Sequence, residues 1–271
     1  MTDPTDLPEV GQWAEDKHAR VRADLELAAK TVGRKFVGPG KAGFYYTDPF
    51  CGPPHARIRD NGQIVEGGAL VATGAARAAG APFSCIYIAD KNPAFVEASA
   101  RELQSRGETV RTYTGTALET SGEIARALPP HGLHFAFLDP FNLEALPFEG
   151  IHSLAKLARM DILVHFSSMD LQRNFGEFLA KPSSPLDSFA PGWRDTVQQT
   201  MPAHEKRRRV REHWQSLLAE AGIPTAGGIE HMQGSRNQTL YWLIFAAKNP
   251  LALKFWNVIR AASATQRGFQ F

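Results

Sequence analysis

The sequence predicts an α/β fold built on a mostly parallel sheet. Three observations lead there. Between residues 44 and 166, short apolar runs alternate with helical segments, the order of linked βαβ units. Several runs, such as Leu133 to Leu138, are apolar without alternation, as strands covered on both faces are. Four runs end in Asp48, Asp90, Gly115 or Asp139, at the strand end where open parallel sheets carry ligands.

Taken in order, residues 1–12 read as a flexible terminus. In 13–32, Trp13, Val21, Leu25, Ala28 and Ala29 fall near one helical face. Gly33 and Gly38-Pro39-Gly40 stop that helix. Residues 43–47 are aromatic and form the first strand. Asp48 to Pro54 is a loop, because Pro53-Pro54 fits neither a central strand nor a helix interior. The polar stretch 55–67 continues the loop. The Ala-rich 68–79 is a helix that can lie close on the sheet. Strand 83–89, helix 93–106 with Pro93 in its first turn, strand 109–113, helix 120–128, strand 133–138, helix 150–159 and strand 161–166 follow. Residues 168–222 hold no good strand and read as a helical insertion or cap of about 55 residues. Strands 227–233 and 239–247, joined by the short 234–238, form a hairpin, and helix 251–262 closes the chain. Residues 13–271 are thus one domain with one insertion.

The 271 residues carry 30 Lys+Arg against 28 Asp+Glu, a net charge of +2, with 43% hydrophobic residues. This excludes a disordered or collagen-like chain and gives no global nucleic-acid signature. The two cysteines, Cys51 and Cys85, are too few for a disulfide framework or a cysteine zinc site. The first residues lack the apolar core of a secretory signal, and no apolar run approaches the about twenty residues of a membrane helix. The expectation is a soluble, cytoplasmic protein with no membrane contact. The histidines show no metal-ligand spacing, and no Walker A loop or G-x-S-x-G elbow is present.

The strand ends carry the chemistry. The loop after the first strand has one glycine, Gly52, and three prolines, so it is no phosphate-cradling G-x-G-x-x-G. A dinucleotide-dependent oxidoreductase is disfavoured for the same reason. Cys51 offers a small side chain beside a ligand; the alternative for this loop is a rigid turn. Asp90 can accept hydrogen bonds from both hydroxyls of a ribose, or cap the helix begun at Pro93. Asp139, the Pro140 carbonyl and Phe141 can accept the hydrogens of an aromatic amine and stack on its ring. The alternative is an Asp-Pro turn. His165 ends the fifth strand and can line an acceptor pocket. In the basic run 205–212, Arg207 and Arg211 share a helix face and Arg208 lies beside it. The run can hold phosphates or be a solvated face. Trp193 and Trp214 flank it, as base stackers or as packing.

Several segments resemble, in order and spacing, the three-Cys-motif partner family, whose members look like class I S-adenosylmethionine-dependent methyltransferases. They are Trp13 with Lys17, Tyr46 to Pro53, Glu66-Gly67-Gly68, Phe137 to Pro140, and Tyr241 to Ala246 with Lys248-Asn249-Pro250. The resemblance implies a Rossmann-like sheet of seven strands whose last hairpin supplies the antiparallel strand. It implies S-adenosylmethionine near Asp48, Phe50, Cys51, Gly52, Asp90, Gly115 and Thr116, with Lys17 on the cofactor's carboxylate. It also implies a protein partner encoded nearby. The expected activity is methyl transfer to an amino group of a nucleic-acid base or nucleotide-like acceptor. Pro54 replaces the family's second glycine, and Thr116 stands where an acidic residue is usual. Those departures favour the alternative, a non-catalytic subunit that binds another protein or nucleic acid.

Overall fold

The computed structural model describes residues 7–31, 33–233 and 239–267. In chain order its elements are β1 (Glu9–Val10), α1 (Trp13–Thr31), β2 (Phe44–Asp48), β3 (His55–Ile58), β4 (Ile64–Glu66), α2 (Gly68–Ala78), β5 (Cys85–Asp90) and α3 (Pro93–Ser105). Then come β6 (Val110–Thr114), α4 (Ala117–Ala127), β7 (Leu133–Leu138), α5 (Phe148–Ala155) and β8 (Met160–Phe166). The last are α6 (Ser168–Ala180), α7 (Pro185–Phe189), α8 (Ala203–Glu220), β9 (Glu230–Gln233), β10 (Thr239–Ala247) and α9 (Pro250–Arg267).

Seven strands form the main sheet in the order β6-β5-β2-β7-β8-β10-β9. β10 runs antiparallel to both its neighbours, and the other paired strands are parallel. This is the Rossmann-like sheet expected, with the antiparallel final hairpin. The chain moves outward from β2 through β5 to β6, then returns to β7 on the other side of β2. The topological switch point therefore lies between β2 and β7.

Alternation along the strands divides two core layers. Phe44, Tyr46, Ile88, Phe135, Phe137 and Leu163 point to a first face, under α1, α2, α3 and α9. Tyr87, Leu138, Ile162, Val164, Phe166 and Ile244 point to the second, under α4 to α8. The small residues Ala69, Ala72, Ala75 and Ala76 are almost fully buried, which lets α2 lie close to the sheet. The segment expected as an insertion is the crossover between β8 and β9, layered on the second face. Phe166 meets Phe189 and Trp214 edge-on, at 4.9 and 5.4 Å between ring centroids. Trp193 and Trp214 are fully buried, so they are packing residues, not exposed stacking platforms. A buried Phe such as Phe189 contributes about 1.5–3 kcal/mol.

Three expectations are corrected. Residues 9–10, expected to be flexible, pair as β1 with Arg57 and Ile58 of β3. Residues 55–67, expected as a loop, form the β3–β4 hairpin. Ala56 and Ile58 are buried and alternate with His55 and Arg57, a period of two masked by polar side chains. The turn runs from Arg59 to Gly62, with Gly62 at φ +73°. The helix expected from 120 begins at Ala117, because Thr116 and Glu119 form a capping box. The 234–238 connection of the final hairpin lies outside the described residues.

Candidate active site

The carboxylates of Asp48, Asp90 and Asp139 end β2, β5 and β7 and share the parity of the first-face residues. They gather on one side of the sheet at its switch point, where an α/β sheet opens a crevice.

Asp48 is 1% exposed. It accepts hydrogen bonds from the Tyr46 hydroxyl at 3.1 Å and the Phe50 amide at 3.0 Å. Burial pushes its carboxyl up to about 7; the Phe50 amide opposes this and the charge of Asp139 adds to it. The next residues are pinned to β5: the Cys51 amide donates to the Ala89 carbonyl and the Gly52 amide to Asp90 Oδ2. Gly52 needs its left-handed φ of +57°. Burial, reinforced by Asp48 and Asp90, pushes the Cys51 thiol well up, so it is a neutral, inert group. Phe50 turns its ring to the second-face core.

The β3–β4 hairpin interrupts this loop and then closes on itself. The Gly67 amide donates to the Pro54 carbonyl at 2.7 Å. A Cβ on Gly67 would stand 2.6 Å from the Pro53 carbonyl oxygen, and one on Gly68 3.6 Å from Asp48 Oδ2. The glycines missing from a compact fingerprint are therefore supplied after the hairpin, at the start of α2.

Asp90 does not cap α3; Asn92 does, through the Ala94 amide. Asp90 takes one amide on each oxygen, from Gly52 and Asn92, which holds its plane fixed. Gly115 donates its amide to the Asp90 carbonyl. The Thr116 hydroxyl is held by Glu119 in the capping box.

Asp139 is the most engaged of the three. Lys17 from α1 and His165 from β8 each lie 2.5 Å from one of its oxygens. Burial alone would raise its carboxyl; Lys17 and then His165 hold it well below the usual range. Burial lowers His165 against the pull of Asp139. An ionised carboxylate can only accept, so Nδ1 of His165 carries the hydrogen of this contact. The ring packs 3.9 Å from Tyr241. His18, beside Lys17, is pushed down to about 4 by burial and Lys17. Lys17 thus meets Asp139. Its signal was its place in the buried stripe with Ala14, Val21 and Leu25, where a lysine needs a counter-ion.

After Asp139, Pro140 is buried and Phe141 is 68% exposed. Lys91, which the sequence reading passed over, lies over the Phe141 ring at 4.6 Å. Part of the basic run on α8 is paired locally. Arg208 pairs with Glu205 and Glu212 and Arg209 with Glu205, while Arg211 lies 5.0 Å over Trp242. Arg207 on the same helix is half-buried. Among the described residues no three His, Cys, Asp or Glu are grouped to hold a metal, and no helix is long and apolar enough to cross a membrane.

No protein-family model matches the chain, and no curated protein does. Solved structures with similar folds include the O-methyltransferase TomG from Streptomyces achromogenes in complex with SAM, 14% identical, covering 85% of this chain and 80% of that one, TM-score 0.44. An O-methyltransferase from Bacillus cereus in complex with SAH is 13% identical, covering 86% and 90%, TM-score 0.43. A putative RNA methyltransferase from Pyrococcus horikoshii is 8% identical, covering 84% and 83%, TM-score 0.43. At such scores the likeness carries no argument; the fold rests on the strand order above.

Proposed function

We propose that the chain is an S-adenosylmethionine-dependent methyltransferase, in the manner of the three-Cys-motif partner family it resembles. One observation carries the reading: the carboxylates of Asp48, Asp90 and Asp139 gather on one face at the switch point. Lys17 balances the charge of Asp139 and burial pushes Asp48 up to about 7, so the crevice is mildly acidic, which suits a cofactor that bears a sulfonium and an ammonium group more than the pyrophosphate of a dinucleotide. Asp90 fits the ribose, because each oxygen holds one amide and keeps a second lone pair for a hydroxyl.

When bound, S-adenosylmethionine supplies an electrophilic methyl group. The residues of this chain bind and orient. Asp90 holds the ribose; Asp48, Cys51 and Gly52 line the methionine end, with Phe50 packed behind them. Gly115 lies on the adenine side, with Thr116 capping α4 beside it. Lys17 fixes Asp139, and Asp139 fixes His165, whose ring lines the acceptor pocket. Phe141 stacks on the acceptor ring, and the rate gain comes chiefly from positioning. The acceptor class we assign is an amino group on a base or nucleotide-like molecule. The internal pairing of Arg208 points to a small acceptor more than to a long polynucleotide tracked by α8.

Thermal unfolding with and without S-adenosylmethionine and S-adenosylhomocysteine tests the reading. A ligand that binds only the folded state raises the melting temperature by mass action. No shift at millimolar ligand would sink it.

A further inference from the structure

Lys91 follows β5 and Phe141 follows β7, and β2 lies between those strands. The 4.6 Å contact of Lys91 Nζ with the Phe141 ring therefore crosses the end of β2, at the mouth of the crevice. Phe141 is 68% exposed, an unusual placement for a phenyl ring with no surface to bury. Lys91 is exposed too, and among the described residues it has no carboxylate partner, unlike Lys17 with Asp139 or Arg106 with Glu66. The ammonium covers one face of the ring and leaves the other for stacking. The floor holds three carboxylates, one of them paired with the Lys17 ammonium, and Lys91 stands on the rim.

We infer that Lys91 and Phe141 form an acceptor subsite for a planar ring that carries an anionic group, phosphate or carboxylate. The word acceptor rests on the methyl-transfer reading; the subsite itself does not. The ring stacks on the open face of Phe141. The anion meets the Lys91 ammonium at the rim, because the ammonium on the floor, Lys17, is already paired with Asp139. Lys91 then selects charged acceptors over neutral ones of the same shape.

The test is an NMR titration with phenyl phosphate, benzoate, phenol and benzyl alcohol, on the free protein and on protein mixed with S-adenosylhomocysteine. A charged probe should bind at least about tenfold tighter than its neutral counterpart. The tighter of phenyl phosphate and benzoate identifies the anion. Lys91→Met should abolish the difference, Lys91→Arg should retain it, and Phe141→Ala should weaken all four. Lys91 is exposed, so its variants should keep the wild-type melting temperature. Equal binding of charged and neutral probes, a preference that survives Lys91→Met, or no binding by any probe would overturn the subsite. Failure of S-adenosylhomocysteine to bind would instead remove the methyl-transfer reading, while the titration of the free protein still decides the subsite.

Discussion

β7 and β8 each carry titratable groups near both ends, and the two ends behave oppositely. At the carboxyl end Asp139 and His165 meet at 2.5 Å, with Lys17 closing the cluster. At the amino end His134 and Asp161 do not meet. His134 shares its face with Tyr45, on which it stacks at 5.5 Å, whereas Asp161 has the parity of Leu163 and His165. Side chains alternate across a strand, so an even and an odd position project from opposite faces. The same residue types make a charged network at one end and two groups that do not pair with each other at the other. Burial holds His134 down at about 4 and Asp161 up at about 7.

The largest effect should come from breaking the network. Asp139→Ala leaves the Lys17 ammonium buried without this carboxylate, and should cost about 3–5 kcal/mol in urea unfolding. A loss under about 1 kcal/mol would mean that the cluster holds nothing together.

The amino end should answer to pH. The folded pKa of His134 lies below its unfolded value of 6.5, so the unfolded chain binds the proton first. Its stabilising contribution is present at neutral pH and is lost as pH falls from 6.5 to about 4. The loss should be about 3 kcal/mol. His18 shares this window, so the comparison is between wild type and His134→Gln, whose acid limb should be shallower. Identical limbs would show that His134 is as easily protonated folded as unfolded.

Asp161 carries the opposite sign. Its folded pKa is raised, so it favours folding at low pH and loses that contribution as pH rises from 3.8 to about 7. The full shift is worth about 4 kcal/mol and the partial exposure of Asp161 halves it, so Asp161→Asn should stabilise the protein at pH 8 by about 2 kcal/mol and change little at pH 4. Destabilisation at pH 8 would reveal a partner for the ionised carboxylate.

The smallest effect concerns the third strand end. Thr116→Ala removes a helix cap and should cost about 1 kcal/mol, with cofactor affinity unchanged. A large loss of affinity would show that the Thr116 hydroxyl touches the cofactor.

Long-range order was legible in the sequence because buried parallel strands are apolar runs and their ends carry the carboxylates. The β3–β4 hairpin was not, since only Ala56 and Ile58 mark its inner face and the turn from Arg59 to Gly62 lies in polar text. Asp48, Asp90 and Asp139 were found by position, but their partners were not. Lys17 reaches Asp139 across 122 residues, and Lys91 reaches Phe141 across an intervening strand. No local pattern encodes such pairs. The capping box from Thr116 to Glu119 was local and readable; the ligand reading of that strand end obscured it.

The central claim is that these strand ends hold S-adenosylmethionine through Asp90. Isothermal titration of S-adenosylmethionine into wild type and Asp90→Ala tests it most directly. The account predicts saturable binding to wild type below millimolar concentration, at least about tenfold weaker in Asp90→Ala, with both proteins equally folded. No heat of binding to wild type at millimolar cofactor, or equal affinity in the variant, would contradict it.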